Sequence, residues 1–163
     1  MRTLAVCCAI VFVMASSAGA ACPLAAGDAA DKPQLERPSD GSLISGFGVR
    51  LHPILLAKRM HTGVDFAGAI GDPVRSSAAG EVVTAGVEGQ YGNIVVLKHG
   101  GGVETAYAHL SEIEVQEGAC VERGAVIGRV GSTGFSSGPK LHFEVRLHGR
   151  LIDPVIAMAD GAK

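Results

Sequence analysis

Short apolar runs that keep stopping at glycine constrain this chain more than any other feature. Leu43-Ile44, Glu81 to Ala85, Ile94 to Lys98, Val103 to Leu110, Ile113 to Val115, Val126 to Val130 and Leu141 to Leu147 follow one another, most of them bounded by Gly-containing turns. Runs of this length match strands, and glycine supplies the backbone freedom that tight turns need. With 23 glycines in 163 residues, the chain reads as all-β, mainly antiparallel sheet or sandwich. No stretch beyond the N-terminal apolar run sustains a helical period.

The length fits one domain with a real core. The formal charge of −2 and the lack of a basic stripe interleaved with aromatics exclude a nucleic-acid partner. Arg2 precedes an apolar run from Leu4 to Ala15, and Ala18-Gly19-Ala20 has the small-x-small form of a signal peptidase site. Twelve residues are too few to span a bilayer comfortably, so residues 1–20 are expected to be a cleaved signal peptide. An uncleaved anchor is the weaker alternative. Lipidation of Cys22 is weaker too, because Gly19 stands where a branched aliphatic belongs. Export would place the protein in the periplasm or outside the cell and leave Cys22 and Cys120 as one available pair. Residues 21–37 lack apolar periodicity and are expected to be a flexible linker. The domain is expected over residues 38–158, with a tail at 159–163.

Gly80-Glu81-Val82-Val83 echoes Gly124-Ala125-Val126-Ile127, a spacing also seen in barrel-sandwich hybrids of the lipoyl type. A carrier of that class needs a lysine on a hairpin tip. Lys98 stands at a strand end before His99-Gly100 and does not serve.

Three segments carry candidate chemistry. In His61-Thr62-Gly63-Val64-Asp65-Phe66, alternation puts His61 and Asp65 on one face, with only a glycine between them, while Val64 and Phe66 face a core. In Leu141-His142-Phe143-Glu144-Val145-Arg146-Leu147, the odd positions are apolar, and Lys140, His142 and Glu144 share the polar face. In Tyr107-Ala108-His109-Leu110, alternation puts Tyr107 and His109 together. Each segment is weak alone. Zinc in a hydrolytic site takes three N or O ligands and keeps one position open, and the segments together offer such a set.

Their order and flanks are more specific. Gly46-Phe47-Gly48-Val49-Arg50-Leu51-His52-Pro53 precedes Met60-His61-Thr62-Gly63-Val64-Asp65. Tyr91-Gly92-Asn93, Tyr107-Ala108-His109-Leu110-Ser111, Gly131-Ser132-Thr133-Gly134 and Gly138-Pro139-Lys140-Leu141-His142-Phe143-Glu144 follow. From about Pro38 to Pro154 this resembles the lysostaphin-type (LytM-like) zinc metalloendopeptidases, which cut peptide cross-links in bacterial peptidoglycan. The resemblance implies a compact β domain, like a barrel-sandwich hybrid, with a groove over the metal. It implies one Zn held by His61, Asp65 and His142, with His109 beside the catalytic water and peptidoglycan peptide stems as substrate. Arg50 and Tyr107 are the expected substrate contacts.

One position departs from the pattern. Lys140 stands where the family has the first His of a His-x-His pair. It can act as a fixed cation for a developing oxyanion, or as a proton acceptor once zinc draws its proton away; otherwise the site binds zinc and cuts poorly. The rival function is an adaptor that activates other wall hydrolases, or binds divisome proteins, without cutting. Family members of that kind have lost metal or catalytic residues, whereas all three ligands are present here.

Overall fold

The alternation of Leu141, Phe143 and Val145 against His142 and Glu144 fixes the two faces of the main sheet. The computed structural model describes Cys22, residues 32–51 and residues 57–159. The expected signal peptide, residues 160–163 of the expected tail, and His52 lie outside those residues. Thirteen strands occur among the described residues: β1 (Leu43–Ser45), β2 (Gly48–Leu51), β3 (Lys58–His61), β4 (Val64–Ala67), β5 (Pro73–Arg75), β6 (Gly80–Glu88), β7 (Gly92–Lys98), β8 (Val103–Leu110), β9 (Glu112–Ile113), β10 (Cys120–Val121), β11 (Val126–Arg129), β12 (Lys140–Leu147) and β13 (Arg150–Ile152). Every strand pair is antiparallel.

The main sheet runs β1-β4-β12-β8-β7-β6-β10, with β13 also pairing β12. A second sheet runs β5-β11-β9, and β2-β3 forms a separate hairpin. Phe66, Val95, Leu97, Tyr107, Leu141, Phe143 and Val145 leave the inner face of the main sheet and pack with Val74, Ile127 and Val130 around the second sheet. Each fully buried Phe or Leu here contributes roughly 1.5–3 kcal/mol relative to exposure. The opposite face carries a small cluster of Ile94, Val96, Ala106 and Ala108, packed against Tyr91. Small alanines leave room above them, and that room is where the polar residues gather.

Two details differ from the sequence reading, and the cysteine pair it left open is formed. Ordered packing starts before Pro38: Leu35 is 3% exposed within the core, Glu36 N donates to Ser77 O, and the Arg37 guanidinium lies over the Phe66 ring. A single apolar residue among prolines and acids has no period to betray it. Helix α1 (Pro154–Ala159) closes the domain; six residues are too few to show a helical period. Cys22 and Cys120 are joined in a disulfide across a sequence separation of 98, which ties the start of the segment expected to be a linker to β10. His148-Gly149 is the tip of the β12–β13 hairpin, both residues having positive φ.

Candidate metal centre and groove

Strand pairing brings the metal-ligand candidates together. Asp65 of β4 lies directly opposite His142 of β12, so their side chains leave the same face at cross-strand contact distance. His61 ends β3, and the backbone returns through Thr62 and Gly63 into β4. Asp65 Oδ1 lies 3.2 Å from His61 Nε2 and 2.9 Å from His142 Nδ1, and those two nitrogens are 3.2 Å apart. All three residues are buried.

The donor set fits zinc. Ligand atoms at about 2.0–2.1 Å from a tetrahedral zinc stand about 3.3 Å from one another. The three observed separations approach that value on every side. The outer nitrogens are also arranged for the task. His61 Nδ1 donates to Gly46 O at 2.7 Å, which leaves the Nε2 lone pair facing the centre. His142 Nε2 donates to Glu144 Oε1 at 3.2 Å, which leaves Nδ1 facing it. Such outer partners fix tautomer and ring orientation in metal sites.

Glu144 is fully buried and anchors more than His142. It accepts hydrogen bonds from Thr62 Oγ1, Tyr91 Oη and Arg146 Nη2. Burial alone would raise its carboxyl, but the bonds from His142 and Thr62 bring it down to about 2. Burial likewise opposes ionisation of Asp65, and the bonds from His142 and His61 outweigh it, holding that carboxyl well below the usual carboxylate range. For His142, burial favours the neutral ring, and Asp65 and Glu144 overcome it in favour of the imidazolium. A proton and a metal therefore compete for the same nitrogen.

Gly63 is needed where the chain comes close to β12. A Cβ there would stand 2.2 Å from Phe143 O and 3.0 Å from Glu144 Cγ. The glycine lets the His61–Asp65 segment lie flat on β12.

His109 reaches the centre by a route that alternation does not show. Between β7 and β8, Asn93 faces Leu110 and Val95 faces Tyr107, so Ala108 and His109 together oppose Ile94. That is a β-bulge, and His109 has φ 63°. A non-glycine residue held there costs roughly 1–3 kcal/mol. The surrounding bonds offset it: Asn93 Nδ2 and Thr133 Oγ1 both donate to Leu110 O, at 3.0 and 2.8 Å. The bulge swings His109 away from Tyr107 and towards His142, with ring centroids 5.8 Å apart. His109 Nδ1 donates to Thr133 O at 2.8 Å, so Nε2 is the nitrogen with a free lone pair. Burial, helped by the charges of His142 and Lys140, pushes its pKa down to about 4. The ring is therefore neutral at pH 7 and able to accept a proton.

Tyr107, expected at the substrate, is not there. It is fully buried in the core; its hydroxyl accepts from Ser77 N at 2.9 Å and from Thr105 Oγ1 at 2.9 Å. The bulge is the reason, since it separates the two residues that plain alternation puts on one face. Tyr91 is the tyrosine that lines the groove. It ends a short 3-10 turn, and Gly92 after it has φ 66° and backbone of Thr133 and Gly134 2.5 Å from where a Cβ would stand. In the sequence Tyr91 stands out only within the flanking segment Tyr91-Gly92-Asn93.

Lys140 lies on the site face, as alternation requires. Its Nζ donates to Asp65 Oδ2 at 3.0 Å, and Arg50 Nη2 lies 3.6 Å from the same oxygen. Asp65 thus presents Oδ1 to the histidines and Oδ2 to two cations. Above the centre runs a groove of about 950 Å³, lined by Arg50, Arg59 and Met60 of the hairpin and by Tyr91 and Phe135.

The pattern of peptidase family M23 matches residues 59–154. The chain is 53% identical over 111 residues to the DD-carboxypeptidase/endopeptidase Mpg of Neisseria meningitidis serogroup B, which covers 68% of this chain and 26% of that protein. The chain spans about a quarter of the length of the curated relatives it matches. Among solved structures, a zinc-containing peptidase from Vibrio cholerae superposes with TM-score 0.70 at 37% identity, covering 78% of this chain and 40% of that one. The catalytic domain of lysostaphin from Staphylococcus simulans superposes with TM-score 0.67 at 33% identity, covering 74% of this chain and 93% of that one. The match to the family pattern covers more than half of this chain and contains every residue of the metal centre: the protein belongs to peptidase family M23.

Proposed function

We propose that the protein is an exported zinc endopeptidase that hydrolyses peptide cross-links in bacterial peptidoglycan. The observation that carries this is the buried triangle of His61 Nε2, Asp65 Oδ1 and His142 Nδ1 at the floor of an open groove. Relatives named as peptidoglycan DD-endopeptidases support the substrate. The Cys22–Cys120 disulfide supports export, because such bonds persist in oxidising compartments. A disulfide-bonded Cys22 also has no thiol left for a lipid.

Bound to the three ligands, zinc supplies the Lewis acidity for peptide hydrolysis by water near neutral pH. The chain supplies the rest. His109, neutral and with Nε2 turned into the groove, takes a proton from the attacking water and returns it to the leaving amine. Lys140 places a fixed cation beside the reacting carbonyl, where negative charge develops. Its bond to Asp65 Oδ2 keeps that carboxylate turned so that Oδ1 faces the metal position. Gly63 and Glu144 hold His61, Asp65 and His142 in place.

The test is digestion of purified peptidoglycan by the zinc-loaded protein. Cross-linked dimers should fall and monomers rise, and a chelator should stop the reaction. Replacing Lys140 by Met should slow cleavage about tenfold or more, the typical cost of one electrostatic donor, with zinc still bound. Replacing it by His should keep or raise the rate. Digestion by Lys140→Met at the wild-type rate would remove the lysine from the chemistry. A wild type that cuts nothing while Lys140→His cuts would make the protein a zinc-loaded adaptor.

A further inference from the structure

The hairpin β2-β3 carries an arrangement that folding alone does not explain. Arg50 of β2 stands directly opposite Arg59 of β3, two cross-strand pairs along from Gly48 and His61. Like charges facing each other across strands are destabilising. A two-stranded hairpin that pairs with no third strand has little stability to spare. No acidic side chain among the described residues pairs with Arg59. Among the described residues Arg50 reaches Asp65 Oδ2 alone, at 3.6 Å, and its Nε is buried without a hydrogen-bond partner. Both arginines line the groove, together with Lys140; Glu88 is the single acid among the lining residues away from the metal centre.

We propose that Arg50 and Arg59 form a carboxylate subsite, so that the preferred substrate is a peptide with a free carboxylate next to the bond being cut. The inference rests on the peptidase reading above and adds the substrate's chemistry to it. A carboxylate between the two guanidiniums would relieve their repulsion. Arginine suits this because its planar fork matches both carboxylate oxygens. The position also fits. Residues i and i+2 of a strand are roughly 7 Å apart and share a face, so Arg59 stands about that far from His61. An extended peptide advances roughly 3.3–3.6 Å per residue. The carboxylate therefore belongs one or two residues from the scissile carbonyl. It can be the chain-terminal carboxylate of a short stem peptide or the side-chain carboxylate of a residue beside the bond.

The experiment measures binding separately from cleavage. One stem peptide is made with an uncleavable ketomethylene in place of the scissile amide, in four forms: both carboxylates free, the terminal one amidated, the side-chain one amidated, and both amidated. Kd values are measured on the zinc-loaded full chain. The free form should bind at least tenfold more tightly than the doubly amidated form, and the singly amidated forms identify which carboxylate is read. In Arg59→Gln that ratio should fall to about threefold or less; in Arg59→Lys, which keeps the charge and loses the fork, it should be intermediate. Arg59 is exposed, so these variants should fold, and a thermal melt checks it. A wild-type ratio near one, or a ratio that survives in Arg59→Gln, overturns the subsite. A protein that shows the ratio and cuts no peptidoglycan refutes the hydrolase reading and keeps the subsite; one that cuts and shows no ratio does the reverse.

Discussion

A His142→Ala protein is expected to purify without stoichiometric zinc and to cleave peptidoglycan at least about a thousandfold more slowly than wild type. His142 Nδ1 is one corner of the donor triangle, 2.9 Å from Asp65 Oδ1 and 3.2 Å from His61 Nε2. Loss of an outer partner of a ligand typically costs 10–100-fold in metal affinity or activity, and loss of the ligand itself should cost more. The same change takes a partner from two buried carboxylates, Asp65 and Glu144. Glu144 keeps Thr62, Tyr91 and Arg146, so the fold should survive with a lowered melting temperature. Metal analysis beside a thermal melt separates the two effects. A folded His142→Ala protein with one equivalent of zinc would contradict the ligand assignment.

The second large effect is expected at a residue with no side chain. Gly63→Ala places a methyl 2.2 Å from Phe143 O and 2.9 Å from Phe143 C. Those are backbone atoms of the central strand and cannot turn aside. Overpacking commonly costs 1–3 kcal/mol, and here the strain must separate β4 from β12. A loss of about 3 kcal/mol or more is expected, which for a domain of this size lowers Tm on the order of 10 °C. Zinc affinity should fall as well, because the shift falls between His61 and Asp65. Gly46→Ala is the control. Its carbonyl holds His61 Nδ1, yet a Cβ there meets nothing within 4 Å, so its Tm should stay near that of wild type. If Gly63→Ala melts with the wild type, β4 and β12 do not approach as closely as described.

Much of the fold could be read from the chain because burial leaves a period-two trace. Leu141, Phe143 and Val145 against His142 and Glu144 predict both faces of β12, and Val64 and Phe66 against Asp65 predict those of β4. The same trace puts His61, Asp65 and His142 on polar faces, and the resemblance to lysostaphin-type peptidases is what marks them as ligands. What escaped depends on contacts between strands. The bulge that parts His109 from Tyr107 is a one-residue excess that exists only once β8 is paired with β7. Within β8 alone, both residues sit at even spacing, so a buried core tyrosine passed for a groove residue. Gly63 reads as no more than the glycine between His61 and Asp65, while its actual constraint is a carbonyl 80 residues away in the sequence. Arg59 carried no local signal, because its meaning comes from standing opposite Arg50. Tyr91 reaches Glu144 across 53 positions, which no local pattern encodes.

The central claim is that water, with the help of the His61/Asp65/His142 centre, breaks a peptide bond. Digestion of peptidoglycan in ¹⁸O-labelled water, followed by mass analysis of the released muropeptides, tests it most directly. The account predicts that each new carboxylate carries one ¹⁸O atom, that a new amine appears in equal amount, and that chelation abolishes both. Muropeptides left cross-linked, or released without the label, would contradict it.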